Sequence, residues 1–326
     1  MITLSFPLYW PMLKHQYLID HRVVFWHNLL IVFWITMNRY VKPFLRWAGG
    51  KRWLAEILQP IVSKRLNESN VYFEPFLGSG AMFFSLQPPK AHLSDLNGDL
   101  INTFQQLAEN PNKVIEYLLS LPATKDRYYQ ERKKKCRTAL TQAVRFIYLN
   151  RNCYGGLYRE NRQGIFNVPY GGNGRDHKGI CRDNTLLNAS LILKEKNVKL
   201  LNCDFAISMD KAKEGDVIYC DPTYRKVSRK HFDRYGKDIF SWEDQERLAN
   251  TAIEAFDRGA LVIISNASGN GIRDLYPQGR VARLIRPKGL GPKNNPKSQV
   301  EYLFILDPLE LWDEWNKMDG IKIHKI

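Results

Sequence analysis

The chain has 326 residues, 44% of them hydrophobic and 25% charged. That is enough for a sizeable core, and it excludes a disordered, collagen-like or disulfide-scaffold protein. The chain carries 48 Lys and Arg against 33 Asp and Glu, a net +15, which points to a polyanionic partner, nucleic acid first; a merely soluble basic protein is the plain alternative.

Residues 23–38 form a run of 16 positions without Asp, Glu, Lys or Arg. This falls short of the roughly 20 apolar residues that a membrane span needs, and no small-residue cleavage site follows it. Residues 1–37 are read as a leader ahead of a natural start at Met37, with an interfacial anchor as the rival reading. From there on, strand-like and helix-like segments alternate. Short β-rich runs fall at 71–76, 91–95, 198–203, 216–220, 261–265 and 300–306, and helical patterns at 81–86 and 100–108. The alternation predicts an open α/β sheet. Between 98 and 182 the rhythm changes to helical patterns at 112–120 and 128–149, followed by a Gly-rich stretch from 150 to 179, so this segment reads as a mainly helical insert. Residues 125–162 hold eleven Lys and Arg against three Asp and Glu, a net +8. With Tyr154 and Tyr158 among them, the segment reads as a DNA- or RNA-facing surface rather than only a solvated helix face. The stretches 225–237 and 280–297 hold six Lys and Arg each, with one acid in the first and none in the second.

The five cysteines, Cys136, Cys153, Cys181, Cys203 and Cys220, are scattered and form no C-x-x-C pair. His92, His177 and His231 stand alone. No disulfide framework and no metal site are expected, and a reducing cytoplasm fits this usage.

Three motifs can carry chemistry. FLGSG (76–80) follows a strand, and its glycines allow a tight turn and close approach of a ligand. Asp95 ends the next strand, where a carboxylate can accept both hydroxyls of a ribose. Position 83 is Phe, so the full G-x-G-x-x-G of a nicotinamide site is absent, and Leu45 and Arg52 break the P-loop pattern around Gly50 and Lys51. YCDPTY (219–224) follows an apolar strand. Asp221 and the carbonyl of Pro222 can accept the two N–H bonds of an amine on an aromatic base, and Tyr224 offers a stacking face. Two directed acceptors would localise the amine lone pair and stabilise charge developing on nitrogen. A strand-end turn with an Asx cap fits the same residues. The third motif, FLRWAGGK (44–51), is by itself a Gly-rich turn flanked by a cation and a Trp.

FLRWAGGK, EPFLGSG (74–80), LSDLN (93–97), LNRNCYGGLYREN (149–161) with GIFNVPYG (164–171), and CDPTY (220–224), in this order, resemble the Dam-type DNA adenine-N6 methyltransferases over about residues 40–306. The resemblance implies a Rossmann-like S-adenosylmethionine-dependent methyltransferase core (38–97 and 183–326) with an inserted, mainly helical target-recognition domain (98–182). It implies that Trp47, Lys51, Phe76, Gly78, Gly80 and Asp95 line the cofactor site and that Asp204 and Phe205 hold its adenine. Asp221, Pro222 and Tyr224 match the catalytic D-P-P-Y motif. Arg46 lies where the family places a DNA-contacting lysine, Tyr154 matches the aromatic that wedges beside the flipped base, Leu157 and Arg159 match base-reading positions, and Pro169 lies in the matching loop. Arg159 suits bidentate contact with guanine, with a phosphate contact as its alternative.

Two positions depart from the pattern. Thr223 replaces the motif's second proline but leaves both acceptors, and Gly155 stands where several members carry Asn. The resulting expectation is transfer of a methyl group from S-adenosylmethionine to N6 of a flipped-out adenine in double-stranded DNA, without a metal, with GATC as the first expectation for the target. A catalytically impaired DNA-binding relative, an RNA or protein amine methyltransferase, and a membrane-associated version stay open on the sequence.

Overall fold

The computed structural model describes residues 41–47, 50–161, 163–172, 174–222, 240–267, 271–285, 300–318 and 323–325. The expectations placed on residues 1–37, on Thr223 and Tyr224, and on the basic stretches at 225–237 and 286–297 lie outside the described residues.

The strands β1 (Tyr72–Glu74), β2 (Lys90–Asp95), β3 (Asn197–Asn202), β4 (Val217–Cys220), β5 (Leu261–Ala267), β6 (Arg280–Ile285), β7 (Val300–Leu306) and β8 (Ile323–Lys325) form one sheet. Its order is β3-β2-β1-β4-β5-β7-β6-β8. The first five strands in that order run parallel. β7 lies antiparallel between β5 and β6, and β8 pairs antiparallel with β6. The central strands are parallel because their residues are apolar toward both sides: all four residues of β4 are buried. Period-two alternation then sorts them. Phe73, Ile218, Cys220, Val262 and Ile264 face one apolar layer, and Tyr72, Val217, Tyr219, Leu261 and Ile263 face the other.

The helices are α1 (Arg52–Arg65), α2 (Ala81–Leu86), α3 (Gly98–Glu109), α4 (Pro111–Ser120), α5 (Lys125–Lys133), α6 (Ala139–Asn152), α7 (Gly179–Arg182), α8 (Thr185–Glu195), α9 (Phe205–Met209), α10 (Trp242–Asp257) and α11 (Trp312–Asn316). Helix α1 buries Leu54, Ala55, Leu58, Ile61 and Val62, a one-sided stripe, in the Tyr72 layer. Helices α9 and α10 cover the Phe73 layer. The helical pattern expected over 128–149 is two helices rather than one. Thr138 starts α6 with a capping box to Thr141, which satisfies amide donors that would otherwise be orphaned and makes a break there favourable. Strand β6 falls within the basic stretch 280–297; its arginines are interspersed with Val281, Ala282 and Leu284, which are buried against β7.

Strands β1 and β4 are neighbours in the sheet but not in sequence. From β1 the chain proceeds outward through β2 to β3 on one side, then returns to β4 on the other. Such a reversal opens a crevice outside the carboxyl ends of the strands, where α/β sheets bind ligands. The EPFLGSG motif and the start of CDPTY (220–222) leave the sheet at this point.

Candidate active site

The glycine loop is shaped by contact. Gly78 has φ +49°, and a Cβ on it would lie 2.9 Å from the indole nitrogen of Trp47. Trp47 therefore lies directly over the loop, and it also stacks on Tyr158 at 5.7 Å between ring centroids. Asp95 closes the loop from the next strand. Its Oδ2 accepts the Gly78 amide at 3.1 Å and its Oδ1 accepts the Asn97 amide at 3.0 Å. Burial raises the Asp95 carboxyl above its ordinary range, and the Asn97 and Gly78 amides oppose that shift. The Leu96 amide also bonds this carboxylate, and a ribose hydroxyl can use the acceptor capacity that remains. Leu96, the next residue, is a large apolar side chain left 76% exposed. The Asn202 side chain, at the end of β3, donates to the carbonyls of Asp95 and Leu96 at 3.0 Å each and so fixes this strand end. A glycine loop that admits no Cβ at Gly78, a carboxylate fixed by backbone amides at the strand end and an exposed leucine fit the glycine-loop and ribose contacts of an adenosyl cofactor.

Asp204 and Phe205 follow β3. The Phe205 ring stacks on Phe76 at 5.4 Å and is 5% exposed. Asp204 Oδ1 accepts the Ala206 amide at 2.9 Å, and both carboxylate oxygens are engaged by Arg247 of α10. Burial would raise this carboxyl, but the forked Arg247 contact and the Ala206 amide outweigh it and hold it below its ordinary range.

Asp221, one residue past β4, is pinned on a single oxygen. Its Oδ1 lies 3.0 Å from Lys51 Nζ and accepts the Ser265 hydroxyl at 2.7 Å. Among the described residues its Oδ2 has no partner. Lys51 is 4% exposed and also lies 3.5 Å from Glu301 Oε2 of β7. Beneath them Glu74, fully buried, accepts the Tyr72 hydroxyl at 2.9 Å and the Phe83 amide at 3.0 Å. Burial pushes the Glu74 carboxyl up to about 8, and the charges of Asp221 and Asp95 add to the rise. Glu74, of EPFLGSG, thus stands close to Asp221 of CDPTY and Asp95 of LSDLN, and their charges together with burial favour its protonated form.

The segment after α6 is a hairpin with bridges Cys153↔Tyr170 and Glu160↔Phe166. Two tyrosine hydroxyls tie it to the helical segment: Tyr128 donates to the Val168 carbonyl and Tyr170 to the Ala123 carbonyl. Tyr154, beside the Cys153–Tyr170 bridge, is 63% exposed, and Leu157 is also exposed. The Pro169 carbonyl accepts the Tyr154 amide at 2.9 Å. Arg159 is held by Asn167 at 2.7 Å. Arg46 adjoins the hairpin: Asn150 bonds both its amide, at 2.9 Å, and its carbonyl, at 2.7 Å. At Gly156 a Cβ would lie 2.5 Å from Arg46 Cβ. Burial and the nearby Arg175 lower the Arg46 guanidinium, and burial and Arg46 push Arg151 down to about 10. Such crowding of cations favours an anion between them.

The structure therefore gathers Trp47, Gly78 and Asp95; Phe76, Asp204 and Phe205; Lys51 and Asp221; and Arg46 with Tyr154, Leu157, Arg159 and Pro169. Gly80 ends the loop at φ +67° and caps α2. Pro222 is described and Tyr224 is not. Ser265, Glu301, Arg247, Leu96, Arg151 and Arg175 belong to the same surroundings and were missed. Ser265, Glu301, Arg247 and Arg151 sit in strands and helices whose local pattern says only that the element is buried or basic, and Leu96 and Arg175 sit in connections between elements. Among the described residues no group of three or more His, Cys, Asp or Glu could hold a metal, all five cysteines are free, and no helix is long and apolar enough to cross a membrane.

Residues 47–290 match the model of the D12 class N6 adenine-specific DNA methyltransferases. The chain belongs to this family. D12 enzymes use S-adenosylmethionine to methylate adenine in DNA. The chain is 31% identical, over 81% of its length and 95% of the relative's, to the type II methyltransferase M1.LlaDCHI of Lactococcus lactis. It is 36% identical to the type II methyltransferase M.MjaIII of Methanocaldococcus jannaschii, over 82% and 98% of the two chains. It is 30% identical to the DNA adenine methylase of Escherichia coli, over 81% and 95%. As a D12 member the chain is an adenine-specific DNA methyltransferase.

Proposed function

We propose that this D12 enzyme methylates adenine N6 at a short site in duplex DNA, with GATC as the first candidate, after the target base is flipped into the crevice at β1 and β4. Inside the stack the base could not reach the cofactor. The observation that carries the reading is the one-sided anchoring of Asp221: Lys51 and Ser265 hold Oδ1, and Oδ2 is left as a fixed acceptor. Asp221 Oδ2 and the Pro222 carbonyl take the two N6 hydrogens, which localises the nitrogen lone pair; Tyr224 stacks on the base. Bound S-adenosylmethionine supplies the sulfonium-activated methyl group. Trp47 and the loop at Phe76, Gly78 and Gly80 hold that cofactor, Asp95 takes its ribose, and Asp204 with Phe205 takes its adenine. Lys51, expected at the cofactor, acts here through Asp221.

Residues 98–182 would read the target, with Tyr154 wedged into the duplex, Leu157, Arg159 and Pro169 at base edges, and Arg46 beside them. The crowded arginines Arg46, Arg151 and Arg175 favour phosphate nearby. The free thiols suit a cytoplasmic enzyme. The test is base-resolved mapping of N6-methyladenine in DNA from methylation-free cells expressing the protein. Methylation at one short motif, absent with Asp221→Ala, is expected. Soluble, DNA-binding protein that methylates nothing would refute the reading and make Thr223→Pro the next variant.

A further inference from the structure

One guanidinium touches both members of the Asp204–Phe205 pair. Arg247 Nη1 lies 2.7 Å from Asp204 Oδ1 and Nη2 lies 3.0 Å from Oδ2, a parallel fork. The guanidinium carbon stands 4.2 Å from the centroid of the Phe205 ring. Nη2 is also 3.2 Å from Asp244 Oδ1, and Asp244 is itself fixed in the capping box that starts α10. A planar cation suits both tasks, since it matches a carboxylate with two bonds while lying over a ring.

The fork determines what Asp204 can still accept. A carboxylate has about four lone-pair directions. The Ala206 amide and Arg247 Nη1 use both on Oδ1, and Arg247 Nη2 uses one on Oδ2. One acceptor direction remains, on an oxygen that cannot rotate away while the fork holds. That suits a single N–H of a 6-aminopurine. A 6-oxopurine would place an acceptor against an acceptor and leave the carboxylate unpaired, which a site built around a hydrogen bond rejects strongly.

We propose that Arg247 is a positioning residue for the cofactor's adenine: it locks the Asp204 carboxylate in one orientation, and so makes the pocket select a 6-amino over a 6-oxo purine. The proposal rests on the reading of Asp204 and Phe205 as the adenine-holding pair. Arg247 acts through Asp204 and takes no part in the methyl-transfer chemistry.

The test is calorimetric binding of S-adenosylhomocysteine and of its inosine analogue to the full chain and its variants, without DNA or turnover. Wild type is expected to favour the adenine ligand at least about 10-fold. Arg247→Ala should weaken S-adenosylhomocysteine by roughly 10-fold and narrow the preference, and Arg247→Lys, which keeps the charge but not the fork, should fall between. The pH profile adds a readout that a merely structural role would not move. Asp204 faces Arg247 and Asp244, both of α10. Without Arg247 its carboxyl gains protons at higher pH, so S-adenosylhomocysteine binding should begin to fail at higher pH in Arg247→Ala than in wild type. Unchanged affinity, preference and pH profile in Arg247→Ala would overturn the proposal, as would tighter binding, which would make Arg247 a competitor of adenine. If Arg247→Ala melts early, Arg247→Lys carries the same comparison. Asp204→Ala separates the underlying reading: wild-type S-adenosylhomocysteine binding in that variant would remove Asp204 from the adenine site altogether.

Discussion

Removing the Ser265 hydroxyl should slow methyl transfer while leaving the cofactor bound. Ser265 donates to Asp221 Oδ1 at 2.7 Å, and Lys51 Nζ approaches the same oxygen at 3.0 Å. A hydrogen bond to a charged group contributes about 1.5–3 kcal/mol, and each ~1.4 kcal/mol is tenfold in rate. If that energy serves to aim Oδ2 at N6, Ser265→Ala lowers the single-turnover rate on a duplex oligonucleotide by about 10- to 100-fold. Affinity for S-adenosylhomocysteine should change by less than about threefold, because neither Asp95 nor Asp204 is touched; the equivalent energy is under about 0.7 kcal/mol. Ser265→Thr, which keeps a hydroxyl, should recover most of the rate. Asp221→Asn sharpens the argument. Two donors hold the Oδ1 position, so the amide must place its oxygen there and turn its NH2 toward N6, donor against donor, and activity should disappear although the side chain keeps its shape. A wild-type single-turnover rate in Ser265→Ala would refute the anchoring argument. So would a rate loss matched by equal losses in cofactor affinity and melting temperature, since the hydroxyl would then support the fold and not the aim of Asp221.

Three further outcomes follow from the same geometry. Glu74 binds its proton more tightly folded, up to about 8, than at its ordinary 4.5. The stability it contributes is therefore complete below about 4.5 and is lost as pH rises through about 8; thermal melts from pH 5 to 9 should fall more steeply for wild type than for Glu74→Gln. Gly78→Ala forces a side chain into a left-handed backbone and against Trp47, so with ~1–2 kcal/mol of backbone strain alone its affinity for S-adenosylhomocysteine should drop roughly 10-fold or more; full affinity by calorimetry would contradict the loop contact. Binding to non-target DNA should weaken steeply with salt, and Arg151→Ala should reduce the slope of log K against log salt by about one, the signature of one lost phosphate contact; an unchanged slope would place Arg151 away from the backbone.

Much of the scaffold is readable along the chain because local order encodes it. Asp95 and Asp221 stand at the ends of short apolar runs, and a carboxylate there opens toward the crevice wherever the sheet is parallel. The break at Lys134–Thr138 is less visible, since four consecutive cations satisfy a solvated helix as well as a loop, and only the cap at Thr138 ends the ambiguity. Strand β6 is hidden for a related reason: Arg280 and Arg283 interrupt its apolar pattern, and its register is supplied by β7. The supporting contacts are hidden more deeply. Ser265 meets Asp221 from 44 positions away, and Arg247 meets Asp204 from 43. Ser265 lies in a buried strand, where a small polar residue signals nothing by itself. Arg247 sits on a helix face where an arginine is ordinary. Their meaning depends on which strand ends the topology brings side by side.

Asn150 holds the backbone of Arg46 from both sides, accepting its amide and donating to its carbonyl, in a segment that, on the proposed function, joins the DNA-facing hairpin to the cofactor loop. Arg46 lies against the hairpin at Gly156, and its neighbour Trp47 lies against the glycine loop at Gly78. A peptide bond separates the two contacts. Ordering this short segment from either side thus removes part of the entropic penalty of ordering it from the other. Reciprocity then requires that whatever the adenosyl ligand gains from bound DNA, DNA gains from the bound ligand in equal measure. Asn150 is the stitch through which such cooperation would pass, and it makes that cooperation a property of the backbone, independent of the bases being read.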